Sequence, residues 1–415
     1  MDEPLQVNSE RLKADFDALS EIGSTGDGGV NRPTFSEAHL EARAWFRQLA
    51  TMEGFEVRVD GAGNVSAVLS VEGAGETLLI GSHLDSVYSG GRFDGALGLL
   101  AAFESLRVLR ESGQPLAHHI EAIDFTDEEG TLVGLLGSIS LTGLLKSEAL
   151  KSPRGRRQAL EEGLTRSGLT EAGLFEARRD PKSLAGFLEL HIEQGPRLAK
   201  TGTDIGVVTS IVGAHSYQLT FKGHSNHAGT TPMPGRNDAG QGAAAFVLAT
   251  REIVLADYPD CVCNVGQMNF NPGGFNIIPG RATLSLEFRA PDKKQLKELR
   301  NVLLTRAETE AERFGLTLEV KAAGAWNPIG LDEEIQAAFE KSANNLGLSH
   351  KRLHSGAGHD TESLARITRS GMIFIPSPNG ISHDPREFSE WSDCLNGANV
   401  LLNTAYHLAR KAPQI

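Results

Sequence analysis

Residues 81–95 read GSHLDSVYSGGRFDG, and the chain is organised around them. Ahead of them, residues 77–80 (TLLI) form a short apolar run, the pattern of a buried strand. His83 and Asp85 leave the carboxyl end of that strand, where open α/β sheets place their sites. Ser89, Gly90 and Gly91 break the chain, and Phe93-Asp94-Gly95 turns it into an apolar helix starting near Ala96. His83 and Asp94 therefore fall on loops at one sheet edge. A histidine with two carboxylates there suits a divalent metal. The same letters also suit a glycine turn whose acids cap a helix, so the stretch is weighed with what surrounds it.

Three later stretches repeat the pattern. The strand HHIEAIDFT delivers Asp127-Glu128-Glu129, three adjacent acids that repel one another unless solvent or a cation compensates. The strand in LAGFLELHIEQG ends in His191, and GMIFIPSPNGISHDPREF runs from an apolar strand through a Pro/Gly loop to His383. Four strand ends thus offer His83, Asp94, Glu129, His191 and His383. That is two or three ligands for each of two metals if Asp94 is shared. Alone, each stretch has a plain reading as a structural histidine or a solvated charge run.

A chain of 415 residues is long enough for two domains with real cores. Hydrophobic residues make up 40% and charged residues 22%, ordinary for a globular enzyme. The formal charge, 40 − 53 = −13, argues against a nucleic-acid partner. An anionic substrate is not excluded, because local arginines and metal charge dominate inside a cleft. Three cysteines give no disulfide framework. No apolar leader segment and no run approaching about 18 apolar residues stands out, so no membrane association is expected and a cytoplasmic location is the default.

Taken in order, residues 8–20 read as an amphipathic helix capped by Asn8 or Ser9, and 21–33 as a Gly-rich loop that either borders a cleft or is disordered. A helix over 36–54 and a hairpin over FEVRVDGAGNVSAVL lead into the central stretch. A helix follows over about 96–112, and short helices over 144–182. From about Gly213 to Asn327 the character changes to four strands and two long helices, the pattern of a two-layer α/β sandwich. Metal-type stretches flank this block on both sides, so it looks inserted. The chain ends in a helix near 391–411. The expected fold is α/β: a mixed-sheet domain over 1–212 and 328–415 that carries the metal-type stretches, with an inserted two-layer sandwich over 213–327.

The set GSHLDSVYSGGRFDGALG, TDEEG, LELHIEQGP, HAGTTPM, NIIPGRATLSLEFR, SGAGHD and SHDPREF, in that order, resembles the amidase/hydantoinase/carbamoylase group of the peptidase M20 family of two-metal hydrolases. The resemblance spans about residues 10–410. It implies His83, Asp94, Glu129, His191 and His383 as metal ligands with Asp94 bridging. It implies Asp85 as the acid orienting His83, and Glu128 as general base. Gln194 would lie near a ureido group, His227 would support an oxyanion in the other subunit's site, and Asn276 and Arg289 would hold the substrate carboxylate. His191 matches the carbamoylase group, whereas related peptidases tend to have an acid there. Two divalent ions per subunit follow, zinc first, with manganese, cobalt or nickel admitted by the mixed ligands.

The implied substrate is a small anionic ureido acid, such as an N-carbamoyl-L-amino acid or allantoate, cleaved with release of ammonia and CO2. The resemblance makes the first domain a di-metal hydrolase domain and the inserted sandwich a lid, and the implied assembly is a homodimer through that lid. The alternatives are an M20-type aminoacylase or peptidase cutting an N-acyl or dipeptide amide, and a binding protein that kept the fold without the chemistry. The sequence departs from the family pattern at GTLVGLLGS, where Leu132 and Val133 stand in place of an expected Arg and aromatic. It departs again at GHDTESLA, where an alanine is expected. His359 either faces the cleft or serves its Gly-rich loop.

Overall fold

The computed structural model describes residues 3–410 and divides the chain into two compact units. The first takes in the chain up to Thr209, Leu331–Leu353 and the chain from His359 onward. The second takes in Ser210–Gly330 and His354–Gly358, a short segment that the sequence does not set apart from its flanks. Residues 1–2 and 411–415, which include the tip of the helix expected to reach 411, lie outside the described residues.

Thirteen strands follow one another along the described chain. They are β1 (Glu56–Val59), β2 (Val65–Leu69), β3 (Thr77–His83), β4 (His119–Phe125), β5 (Leu184–Ile192), β6 (Ile205–Ile211), β7 (Gly213–Lys222), β8 (Val262–Asn271), β9 (Arg281–Ala290), β10 (Thr317–Trp326), β11 (Ile329–Gly330), β12 (His350–Ser355) and β13 (Ser370–Ile375). In the first unit the order is β1-β2-β4-β3-β5-β13-β6, and β12 also pairs with β6. β4, β3, β5 and β13 run parallel, while β1, β2 and β6 join antiparallel, so the sheet is mixed.

The parallel run matters most for the site. Its four carboxyl ends fall on one edge, and they belong to the four stretches that carry ligand-type residues. Such strands are covered on both faces, which is why they read as apolar runs rather than alternating ones. The helix Ala96–Ser112 covers one face and is buried from Ala96 to Leu109, so it too is apolar nearly all round. Its start depends on Gly95, at φ 65°, where a Cβ would collide with the His83 ring.

Local signals account for most boundaries. Asn8 caps Ser9–Glu21 by accepting from the Arg11 N–H, and Ser36 caps Glu37–Met52 through His39 N–H. The hairpin of β1 and β2 turns at Asp60, whose carboxylate accepts from the N–H groups of Ala62 and Asn64. The Gly-rich loop at 21–33 is tied down. Val30 bridges Gly90, and the buried Arg32 guanidinium donates to the carbonyls of Leu84, Leu19 and Ile22.

The second unit is a four-stranded antiparallel sheet in the order β10-β7-β9-β8 with helices Ala239–Asp257 and Lys293–Arg313 packed on it. β9 alternates, burying Ala282, Leu284, Leu286, Phe288 and Ala290 on one side. Among the described residues no helix is long and apolar enough to cross a membrane.

Under the sheet edge, Arg43 donates to Asp124 at 2.8 Å and to Thr126 at 2.7 Å, while Asp124 accepts from Leu84 N–H at 2.8 Å. Arg43 thus ties β4 to the residue after His83. Both side chains are buried, and burial with the nearby Asp85 charge lifts the Asp124 carboxyl to about 6 despite Arg43. Arg43→Met should lower the stability of the metal-free protein by about 3–5 kcal/mol, the usual consequence of stranding one partner of a buried pair. Urea unfolding would check this, and a loss below about 1 kcal/mol would contradict it.

Candidate metal centre and active site

Asp94 lies at the middle of the strand-end cluster. Its Oδ1 is 3.0 Å from His191 Nε2 and 3.4 Å from His83 Nε2, and its Oδ2 is 3.6 Å from His383 Nε2. His383 Nε2 is in turn 3.2 Å from Glu129 Oε2. Two groups able to hold a metal result, His83–Asp94–His191 and Asp94–Glu129–His383, with the candidate ligand atoms of each within 4.8 Å of one another. Asp94 belongs to both and presents one oxygen to each.

The backbone sets the tautomers. His83 Nδ1 donates to the Asp85 carbonyl at 3.0 Å and His191 Nδ1 to the Ile192 carbonyl at 2.9 Å, leaving both Nε2 atoms facing the cluster. His83 Nε2 is buried without a hydrogen-bond partner, as suits an atom meant for a cation. Three imidazoles and two carboxylates form a donor set that fits divalent metal.

Electrostatics agree. Burial opposes charge on His83, yet Glu128, Asp94 and Asp85 outweigh it and hold its pKa well above the usual range. Burial works against a charged Asp94 too, but His191 and His83 pull its pKa well below the carboxylate range. His383, hydrogen-bonded to Glu129, is pushed up to about 9. Glu128 sits 3.6 Å from His83 Nε2, and burial with Glu129, Asp360 and Asp94 nearby drives its pKa far up despite His83. The upward shifts of His83, Glu128 and His383 share a cause, buried acids crowded around Asp94 that favour added positive charge.

The three adjacent acids separate in role. Asp127, in the left-handed region at φ 57°, turns its carboxylate away from the cluster to accept from Leu132, Val133 and Gly134 N–H and from the Thr34 hydroxyl. Glu129 faces His383, and Glu128 faces His83. Asp85 does not orient His83 through its carboxylate, which is 3.8 Å from Nδ1. That carboxylate accepts from Glu128 N–H, Glu129 N–H and the Thr34 hydroxyl, while the Asp85 carbonyl holds the ring.

A profile of peptidase family M20/M25/M40 matches residues 79–407. The chain belongs to this family. It is 36% identical to the N-carbamoyl-L-amino acid amidohydrolase of Geobacillus stearothermophilus over 97% of this chain and 99% of that protein. It is 35% identical to the ureidoglycolate hydrolase of Arabidopsis thaliana over 98% of this chain and 87% of that one. Among solved structures, an amidase of the hydantoinase/carbamoylase family from Burkholderia multivorans is 34% identical. That structure superposes with a TM-score of 0.90, covering 98% of this chain and 99% of the other.

In this M20/M25/M40 chain the remaining expected residues fall in separate places. Gln194, at φ 55°, donates to Asp94 Oδ2 at 2.7 Å and so lies at the cluster. His227, Asn276 and Arg289 belong to the second unit. His227 Nδ1 accepts from Gly229 and Thr230 N–H at 3.1 Å, which leaves the proton on an outward Nε2, and the Asn276 carbonyl accepts from Ala228 N–H beside it. Arg289 lies near the far end of β9, where its guanidinium donates to Glu287 and to the Gly356 carbonyl. From Arg281 to Arg289 the strand advances about 27 Å at the usual rise. His227 and Asn276 therefore share one end of this sheet, and Arg289 occupies the other.

Of the two departures from the family pattern, Val133 and Leu132 are buried in a small core with Phe35 and Leu136, and Leu132 also lines a cavity of about 320 Å³ with Thr34 and Tyr88. Thr361 donates from its hydroxyl and its N–H to the buried Glu189, and of these two bonds alanine could make only the second. His359 packs edge-on against His191, ring centres 4.5 Å apart, and burial with the His191 charge holds its pKa well below normal.

Sequence reasoning passed over Thr34, Ser382 and Glu387, which hold the ligand loops. The last two sit inside SHDPREF, where spacing from His383 was the available signal.

Imidazole ligates only when neutral on the coordinating nitrogen, and His83, His191 and His383 all hold protons more tightly than usual in the metal-free protein. Metal uptake should therefore release protons, and affinity should rise with pH up to about 9, where His383 titrates. Calorimetry of zinc or manganese binding in buffers of different ionisation enthalpy reads this release. A binding heat independent of buffer would contradict it.

Proposed function

We propose that this chain is a metal-dependent amidohydrolase that hydrolyses a C–N bond of a small anionic ureido acid, such as an N-carbamoyl-L-amino acid, ureidoglycolate or allantoate. The observation that carries the reading is an acid outside both ligand groups, Glu128, beside a shared-carboxylate cluster, in a chain that matches an N-carbamoyl-L-amino acid amidohydrolase almost end to end. Two divalent ions per chain fit the two groups that share Asp94, zinc first, with manganese, cobalt or nickel admitted. Bound there, such ions supply Lewis acidity toward water and toward a carbonyl oxygen.

The chain's own residues do the rest. Glu128 accepts the proton of the attacking water and hands it to the leaving nitrogen. Its place supports that exchange, since Glu128 lies 3.6 Å from His83 Nε2 yet belongs to neither ligand group. Gln194, within reach of Asp94, presents an amide to the ureido group. His227 donates from Nε2 to the developing oxyanion, a role its backbone-fixed tautomer permits. Arg289 binds the carboxylate, joined by Asn276 from whichever chain supplies His227, since those two share one end of the sheet. Water and the ureido acid leave as the amine, ammonia and CO2.

A substrate of this size cannot touch both ends of β9. If His227 and Arg289 both serve one substrate, they come from different chains. That supports a homodimer built on the second unit, a lid whose His227 acts at the partner's cluster, and two-fold pairing is the commonest closed assembly.

Two experiments test this. Metal-stripped protein refilled with zinc, manganese, cobalt or nickel should release ammonia from a panel of ureido acids. Activity confined to N-acyl amino acids or dipeptides would move the assignment to an aminoacylase or peptidase.

For the lid, Glu128→Gln and His227→Ala should each lose about 100-fold or more in turnover. Mixed after subunit exchange, they should recover about one quarter of wild-type activity, since half the dimers are mixed and each has one whole site. Verified exchange without recovery would place His227 in its own chain's site.

A further inference from the structure

Glu387 sits four residues after His383 and is buried, 4% exposed, yet belongs to neither ligand group. Its Oε1 accepts from the N–H groups of Phe93 and Asp94, each at 3.0 Å. Its Oε2 accepts from the Ser382 hydroxyl at 2.8 Å, and that hydroxyl also lies 2.9 Å from Asp94 Oδ2. One carboxylate therefore grips the main chain of the shared ligand and, through Ser382, addresses its side chain. The approach is close enough that a Cβ on Gly91 would collide with the Glu387 carboxylate, so the glycine makes room for the grip. The next residue adds a second hold, because Phe388 packs edge-on against Phe93 with ring centres 6.0 Å apart.

The two ligand groups do not depend on this grip equally. His83 and His191 are buried, and each is steered by a main-chain carbonyl beside it. His383 is half exposed and lies on the same loop as Ser382 and Glu387. The loop carrying His383 is thus joined to Asp94 by Glu387, whereas the His83–Asp94–His191 group is framed by β3 and β5.

We propose that Glu387 is a positioning residue that sets the distance between Asp94 and His383, and so governs the ion held by Asp94, Glu129 and His383 while leaving the other ion largely alone. The proposal rests on the two-ion reading above. Glutamine at this position can still accept both N–H groups through its carbonyl, and its amide can donate to the Ser382 oxygen. Alanine leaves two buried N–H groups without an acceptor.

The test is metal competition against a chelator, read as ions bound per chain, on wild type, Glu387→Gln, Glu387→Ala and Ser382→Ala. Glu387→Ala should weaken one of the two ions by about 10- to 100-fold, the range for a lost outer partner of a ligand. The other ion should stay near its wild-type affinity. Glu387→Gln should recover most of the loss, and Ser382→Ala should weaken the same ion less.

Equal weakening by glutamine and alanine would replace positioning by simple charge attraction and overturn the proposal. Unchanged binding of both ions in Glu387→Ala would also overturn it, as would equal loss of both. If Glu387→Ala does not fold, Ser382→Ala decides, and unchanged affinity there rejects the idea. Hydrogen exchange in the metal-free proteins separates this from the two-ion reading. If wild type takes up a single ion, protection of residues 93–94 that is lost in alanine and kept in glutamine still supports the grip, and unchanged protection rejects it.

Discussion

Asp94 has to serve two groups at once, and most of the first unit's architecture follows from that. A carboxylate with one oxygen toward His83 and His191 and the other toward His383 and Glu129 needs partners from four separate stretches. Parallel neighbours β4, β3, β5 and β13 deliver those stretches to one edge, which antiparallel neighbours would have split between two edges. Crowding follows. Asp85, Glu128, Glu129 and Glu387 all gather near Asp94, and each takes backbone N–H groups, a hydroxyl or an imidazole as partial compensation. Full compensation calls for cations, and the raised proton affinities of the histidines record the deficit.

The ligand positions were legible because each combines two signals, an apolar strand and a ligand-type residue just past its end. The helices Ser9–Glu21 and Ala96–Ser112 were legible through a cap or a glycine next to a periodic or wholly apolar run. β6 and β12 were not, because TDIGVVTSIVG merges with the strand after it and HKRLHS is short and polar. Which part of Asp85 meets His83 was not legible either. Sequence shows which side chain lies near a histidine but not whether its carbonyl or its carboxylate points inward. Asp127 looked like one of three equivalent acids until its left-handed backbone turned it toward the loop at 132–134. The buried Arg32 in a glycine-rich loop was unreadable because its acceptors are main-chain carbonyls, which leave no trace in residue type.

The second unit shows how a regular element can separate residues that a motif list places side by side. HAGTTPM and NIIPG meet through the His227–Ile277 bridge. Arg289 is near NIIPG in sequence, yet the extended strand between them carries it away. An extended chain is the longest connection a few residues can make. Proximity in sequence along β9 therefore argues against proximity in space.

The main-chain carbonyls that hold His83 and His191 have a consequence for variation. A side chain that fixes a tautomer can be lost by a single codon change, but a carbonyl cannot. Side chains beside these rings can change, by drift or in a library, while the two carbonyls go on accepting from Nδ1. The ligating nitrogens are in that sense inherited with the fold rather than with the residues around them. Selection for new substrates can work on neighbouring side chains without first having to preserve the tautomer of these two rings.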